Sequence, residues 1–246
     1  MSDLPSPAST GVIVLAGGFG TRIRHLLPDV PKPMAPVAGR PFVEWVVRFF
    51  ARFGCTDFLL STGYLAEVVE AHFATGPVAG VNVVCRQETS PMGTGGGALH
   101  ALPEENSPNR IWLVVNGDSL ALADPRPLWS LLENPDIEAA LLGVPLEDAG
   151  RFGSLDIGQG GVLRAFREKQ PGAGVINAGV YAIRESCLRS LPDRRPLSFE
   201  LDVFPALAAR NCVRVLTASV PMLDIGTPET LAQAENFITS HQSEFL

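Results

Sequence analysis

The chain has 246 residues, 46% of them hydrophobic, and its 19 Lys and Arg against 26 Asp and Glu leave a formal net charge of −7. This is enough apolar material for one α/β core, and the acidic balance excludes a protein that tracks a nucleic-acid backbone with a basic face. No apolar run approaches the roughly 20 residues that span a bilayer, and Cys55, Cys85, Cys187 and Cys212 form no C-x-x-C pair, so a cytoplasmic protein with reduced thiols, no membrane partner and no nucleic-acid partner is expected.

Residues 1–10 are polar, with Asp3 and two prolines. They lack the basic start and apolar centre of a signal peptide and read as a disordered arm. A strand is expected at 12–15, opening directly into Ala16-Gly17-Gly18-Phe19-Gly20-Thr21-Arg22, with Pro31-Lys32-Pro33 further on. Glycines there let backbone N–H groups close around a polyphosphate, while Arg22 and Lys32 bring full positive charge. The turn matches neither G-x-G-x-x-G nor the P-loop pattern, and the next strand carries its acid, Asp57, at its start instead of at the end where a ribose would be held.

After this loop a helix is expected from Pro41 through Phe53, with Phe42, Val46, Phe49 and Phe50 at helical spacing as core and Gly54 ending it. A strand at 58–61, a helix at 65–73, a strand at 81–86 and a glycine-tolerant helix at 95–102 follow. The buried strand at 111–115 delivers Asn116-Gly117-Asp118 to the carboxyl edge, where open parallel sheets place ligands. A strand at 139–144 precedes a looser region: a hairpin of 153–157 and 162–167 around Gly160-Gly161, a strand at 176–183, a helix at 185–191, one capped by Ser198 through about 209, and a last one starting at Thr227-Pro228-Glu229. The fold class is therefore α/β, a Rossmann-like, mostly parallel mixed sheet flanked by helices, in one domain over 11–246.

Residues 15–41, LAGGFGTRIRHLLPDVPKPMAPVAGRP, resemble the signature G-G-x-G-T-R-[LI] plus P-K-P of the sugar-1-phosphate nucleotidylyltransferases. NGD at 116–118, EK at 168–169, NAGVY at 177–181 and DIGTPE at 224–229 follow in the family's order. GTGGGA at 93–98, INAGVY at 176–181 and SFELDVFP at 198–205 are most similar to the D-glycero-D-manno-heptose 1-phosphate guanylyltransferase group. The resemblance implies a nucleotide half at about 11–149, and a sugar-phosphate half at about 150–246 that includes an inserted sugar-binding hairpin region. The partners it implies are an NTP, GTP favoured, and a sugar 1-phosphate, with Mg2+ as cofactor. Arg22, Lys32 and Asp118 are then catalytic, and Asp118 and Asp224 hold the metal. Leu15, Ala16, Gly17, Gly18, Gly20, Thr21, Glu88, Gly93, Thr94 and Gly117 bind nucleotide; Glu168, Lys169, Asn177 and Gly179 bind the sugar phosphate.

Attack of a sugar 1-phosphate oxygen on the α-phosphorus brings two anions together, so the chemistry needs positioning and charge neutralisation. The forked guanidinium of Arg22 suits the β- and γ-phosphates, and Lys32 suits the α-phosphate. Mg2+ takes one or two carboxylates plus phosphate oxygens. Asp224 follows the short apolar run 220–223 and precedes Ile225-Gly226-Thr227-Pro228, a turn that would present its carboxylate at a strand end. A carboxylate at Glu88 can accept together from the N1–H and N2 amino group of guanine.

Plainer roles stay open at this stage: Glu88 as a solvent-facing loop acid, Lys32 as a solvated lysine, Asp224 as a capping residue, Glu168-Lys169 as an exposed ion pair and Arg24 as a phosphate ligand or a loop arginine. A uridylyl- or thymidylyltransferase and a non-catalytic sugar-nucleotide sensor of the same fold stay open too. A metal-dependent glycosyltransferase is disfavoured by a lone NGD in place of D-x-D. His25, His72, His100 and His241 have no metal-ligand spacing. Because the tail after the last helix is short, no left-handed β-helix domain is expected. Oligomeric state is open, a homodimer included.

Overall fold

A computed structural model describes residues 10–107, 110–167 and 171–245. Residues 1–9 of the arm expected at 1–10, and with them Glu168 and Lys169, lie outside the described residues. Thr10 is buried at the foot of the first strand.

In chain order the elements are β1 (Gly11–Ala16), a small hairpin of β2 (Pro36–Val37) and β3 (Arg40–Pro41), α1 (Phe42–Ala51), β4 (Asp57–Thr62), α2 (Ala66–Phe73), β5 (Asn82–Gln87), α3 (Gly93–Ala101) and β6 (Ile111–Asn116). Then come β7 (Ser119–Ala121), α4 (Arg126–Leu131), β8 (Ala139–Leu146), β9 (Ser154–Ile157), β10 (Leu163–Arg167) and β11 (Gly174–Arg184). The chain continues with α5 (Glu185–Arg189), a π-helical turn at Phe199–Val203, α6 (Phe204–Ala208), β12 (Val213–Thr217), β13 (Met222–Asp224) and α7 (Pro228–Ser240).

Among the described residues nine strands form one sheet. β5, β4, β1 and β6 run parallel, β11 runs antiparallel beside β6 and β8, and β12 is parallel to β8. Because β1 pairs with β4 on one side and β6 on the other, the strand order reverses at β1. Such a reversal opens a crevice at the carboxyl ends of the two adjoining strands.

β1 and β6 are almost continuously apolar because both of their faces are covered. Val12, Val14, Leu113 and Val115 point into one core cluster, and Ile13, Trp112 and Val114 into the other, as a period of two requires. The helix α1 buries Phe42, Val46, Phe49 and Phe50, with Phe49 edge-on to Phe50 and Phe53, and Gly54 turns the chain away at φ +86. No described helix is long and apolar enough to cross a membrane.

The hairpin of β9 and β10 is antiparallel as expected. Ser198 accepts from the N–H groups of Glu200 and Leu201, but the helix it caps begins as a π-turn before α6; Pro205, with no N–H, falls in the first turn of α6, where it is tolerated. The last helix opens with a reciprocal cap between Thr227 and Thr230. β2, β3, β7, β12 and α4 have no counterpart among the expected elements, while β13 ends at Asp224, where a strand end is expected.

Candidate active site

Three adjoining cavities line the crevice. One of about 310 Å³ includes Gly17, Gly18, Glu88, Gly93 and Thr94. The next, of about 180 Å³, includes Gly20, Thr21, Arg22, Lys32 and Gly226 and shares Leu15, Gly18 and Asp118 with the first. The third, of about 1120 Å³, includes Asn177, Glu200, Asp224 and Gly153 and meets the second at Arg22.

The middle cavity is built around Lys32. Pro31 leads into a tight turn at Lys32–Met34 that buries the lysine to 8% exposure. Its Nζ lies 2.6 Å from Asp118 Oδ2 and 3.9 Å from Asp224 Oδ2. The signature loop closes over it: Gly20 has φ +56, and a Cβ there would stand 2.7 Å from the Lys32 Cβ. A solvated role for Lys32 is thereby excluded.

Asp118 and Asp224 meet because β7 pairs antiparallel with β13, placing Asp224 opposite Ser119. Ile225 N–H donates to the Asp118 carbonyl at 3.0 Å, and Gly226 N–H donates to Asp224 Oδ1 at 2.8 Å. A side chain at Gly226 would collide with that carboxylate. Burial, then the nearby Asp118 charge, push the Asp224 carboxyl above its usual value, with Lys32, the Gly226 N–H and Arg22 opposing.

Among the described residues no three His, Cys, Asp or Glu side chains cluster as a self-sufficient metal site. Two carboxylates sharing one ammonium, one of them raised by the other's charge, nevertheless fit a hard divalent cation whose remaining ligands are phosphate oxygens.

On the first cavity's floor Glu88 is braced. Its Oε1 accepts from Ser61 Oγ at 2.8 Å and its Oε2 from Met92 N–H at 3.0 Å, so it is no free loop acid. The glycines make room for it: a Cβ at Gly17 or Gly97 would come within 2.5 or 2.8 Å of Glu88 Oε1. Within α3 this accounts for Gly97, whereas Gly93 and Gly95 lie against Leu197. Ala16 is buried beneath the loop, and Gly117 N–H donates to the Leu15 carbonyl at 2.8 Å, tying the ends of β1 and β6 together.

In the third cavity Asn177 is fixed at both ends of its amide, donating to Tyr181 Oη at 2.8 Å and accepting from Gly179 N–H at 3.0 Å. Gly179, at φ +71, lies in an irregularity of β11 between Asn177 and Tyr181. Bulges of this kind re-aim a side chain. A Cβ at Gly179 would strike the Asn116 side chain, so glycine is needed there for the approach to Asn116; Gly179 is not itself among the lining residues.

Sequence reasoning missed Gly226, Glu200, Asn116 and the Gly150–Gly153 stretch of the third cavity. Gly226 stood inside the quoted DIGTPE, and its unsubstituted Cα was the available signal; Glu200 stood inside SFELDVFP. Arg24 lines none of the three cavities, and its guanidinium donates to Tyr64 Oη at 3.0 Å. No histidine lines the three cavities, and burial pushes the Cys55 and Cys187 thiols up to about 12.

The Nucleotidyl transferase family profile matches residues 11–241. A mannose-1-phosphate guanylyltransferase from Mycobacterium tuberculosis is 35% identical over 222 residues, 88% of this chain but only 61% of that protein, so the chain spans about three fifths of this relative's length. A D-glycero-alpha-D-manno-heptose 1-phosphate guanylyltransferase from Aneurinibacillus thermoaerophilus is 29% identical over 91% of this chain and 96% of its own. The crystal structure of HddC from Yersinia pseudotuberculosis complexed with GMP-PN superposes with a TM-score of 0.78 at 27% identity, covering 92% of this chain and 98% of that one. With a signature loop, a lysine and two aspartates assembled in the crevice where the strand order reverses, and with a match that runs nearly end to end, the chain belongs to the Nucleotidyl transferase family.

Proposed function

We propose that this protein transfers GMP from GTP to a sugar 1-phosphate, with D-glycero-D-manno-heptose 1-phosphate favoured, releasing pyrophosphate. The observation that carries this reading is Lys32 seated between Asp118 and Asp224, in a cavity that joins a glycine-lined one to a larger one holding Asn177 and Glu200. A non-catalytic sensor has no need of that density of opposed charge.

In this reading residues of about 11–149 hold the nucleotide and residues of about 150–246 the sugar phosphate. Arg22, lining both the middle and the large cavity, holds the β- and γ-phosphates and then pyrophosphate with its planar fork. Lys32 neutralises charge developing at the α-phosphate. Asp118 and Asp224 hold the divalent ion, Mg2+ by preference, which supplies charge neutralisation on phosphate oxygens. The loop from Leu15 to Thr21, together with Gly117, encloses the triphosphate; Gly93, Thr94 and Glu88 take the base. Asn177, Glu168 and Lys169 take the sugar phosphate, with Gly179 shaping the strand that carries Asn177. The nucleotide and sugar phosphate are water-soluble anions, which suits a cytoplasmic enzyme.

Heptose is favoured because the chain matches nearly the whole length of the heptose 1-phosphate enzyme. Mannose 1-phosphate is the second reading, supported by the 35% identity to the mycobacterial enzyme. A pyrophosphate-release screen with GTP, ATP, CTP, UTP and dTTP against heptose, mannose, glucose and N-acetylglucosamine 1-phosphates decides. Fastest turnover with GTP and heptose 1-phosphate is expected. Preference for UTP or dTTP would overturn the guanylyl assignment, and no turnover with any pair would overturn the enzymatic one.

A further inference from the structure

Between the base-side and sugar-side cavities lies a carboxylate with no role in the reading of the motifs. Glu200 lines the large cavity. Its Oε1 accepts from Tyr181 Oη at 3.1 Å, and its Oε2 accepts from Thr94 Oγ1 at 3.1 Å and Ser198 Oγ at 2.8 Å. Thr94 lines the base-side cavity, and its hydroxyl oxygen in turn accepts from Phe199 N–H at 2.8 Å. Tyr181 is fully buried and accepts from Asn177, which lines the large cavity.

The direction of every bond in this chain is dictated. A carboxylate only accepts, so Tyr181 and Thr94 must both donate to it, and Tyr181 is then left to accept from the Asn177 amide. Asn177 Oδ1 is occupied by Gly179 N–H, which leaves the second amide hydrogen of Asn177 for a ligand in the cavity. The backbone is tied along the same seam: Leu197 N–H donates to the Met92 carbonyl at 2.8 Å, and Gly95 N–H to the Leu197 carbonyl at 2.8 Å.

Resting on the nucleotidyl-transfer reading above, we infer that Glu200 is the positioning residue that couples the two substrate sites. Through Thr94 it fixes the start of α3 at the base pocket, and through Tyr181 it fixes the donor face of Asn177 toward the sugar. Ordering one end of a shared hydrogen-bond network lowers the cost of ordering the other, so each substrate binds more tightly when its partner site is filled.

The test compares wild type, Glu200→Gln, Thr94→Val and Tyr181→Phe. Titration calorimetry measures sugar 1-phosphate affinity with and without a non-hydrolysable GTP analogue and Mg2+, alongside steady-state KM for both substrates and thermal melting. In the wild type the analogue is expected to tighten sugar-phosphate binding. In Glu200→Gln that enhancement collapses toward onefold and both KM values rise roughly tenfold, the size expected for one lost bond to a charged acceptor. Thr94→Val and Tyr181→Phe each lose the enhancement as well, although each touches only one pocket, and the double variant adds little more. These two substitutions remove a single hydroxyl and keep the test available should Glu200→Gln not fold.

Retained enhancement in the single-hydroxyl variants, or fully additive effects in the double variant, overturns the coupling while wild-type turnover leaves the enzyme assignment standing. Wild-type protein that turns over no substrate pair overturns both.

Discussion

Lys32 Nζ and Asp118 Oδ2 are 2.6 Å apart although 86 positions separate them in the chain. The lysine is 8% exposed and the aspartate 32%, so each partner depends on the other for neutralisation. In Lys32→Met the two acids face each other without the ammonium that sits between them. A kcat loss of about 10²–10³-fold is expected, the range for removing one charge-stabilising group. The thermal midpoint should fall in metal-free buffer, and Mg2+ should restore more of it in the variant than it adds to wild type. Melts with and without Mg2+, run beside the kinetics, check this; equal metal responses would argue that the acids do not share an ion.

Asp224 shows the opposite balance between activity and stability. Burial first, and then the Asp118 charge, push its carboxyl above its usual value. Asp224→Asn keeps the volume and can keep the Gly226 N–H bond to its side-chain oxygen while discarding the repelled charge. The variant is expected to lose at least about a hundredfold in kcat yet to melt no lower than wild type in the absence of divalent ion, as happens where a functional site is strained. A clear drop in melting temperature would mean that the charge is a structural asset.

Strands β1, β6 and the helix α1 were legible from sequence because their apolar residues run long enough to establish a period. β7 and β13 span three residues each, too few for any period, and their pairing is what joins Asp118 to Asp224. The six-residue α4 has Pro in its first turn and no readable face. Lys32 was legible as a charge but not as a buried one, since its burial depends on Gly20 folding back over it. Glu200 was invisible as a site residue because its partners Thr94 and Tyr181 are contributed by α3 and β11, and only the assembled sheet brings them together.

Glu185 governs acid stability at a place remote from the cavities. It is fully buried, accepting from Ser107 N–H, Trp112 Nε1 and Arg189 Nε at 2.8–2.9 Å. Burial, the largest influence, pushes its carboxyl up, but these donors outweigh it and hold the group below its usual value. A carboxyl lowered by folding contributes stability that is complete above its unfolded value and is lost as pH falls through its folded one. Glu185→Gln should therefore cost about 1–3 kcal/mol near neutrality, and the gap to wild type should narrow as the pH is taken below the usual glutamate range. Urea midpoints at several pH values test the sign; a gap that widens in acid would refute it.

Base choice can be separated from loop bracing at Glu88, because the two roles use different faces of the carboxylate. Ser61 and Met92 each occupy one lone pair of one oxygen, leaving acceptor capacity for a ligand in the cavity that Glu88 lines. A glutamine can preserve the brace, accepting from Met92 N–H through its oxygen and donating to the Ser61 hydroxyl. It cannot accept from two adjacent N–H donors of guanine, since one of its ends is itself a donor. Glu88→Gln is thus expected to keep the wild-type melting temperature and to lower kcat/KM for GTP by about 10- to 100-fold, the value of one paired base contact, while activity with UTP changes little. If Glu88 serves only to hold the loop, GTP and UTP should lose activity in equal proportion, and parallel kcat/KM measurements with both nucleotides distinguish the two outcomes directly.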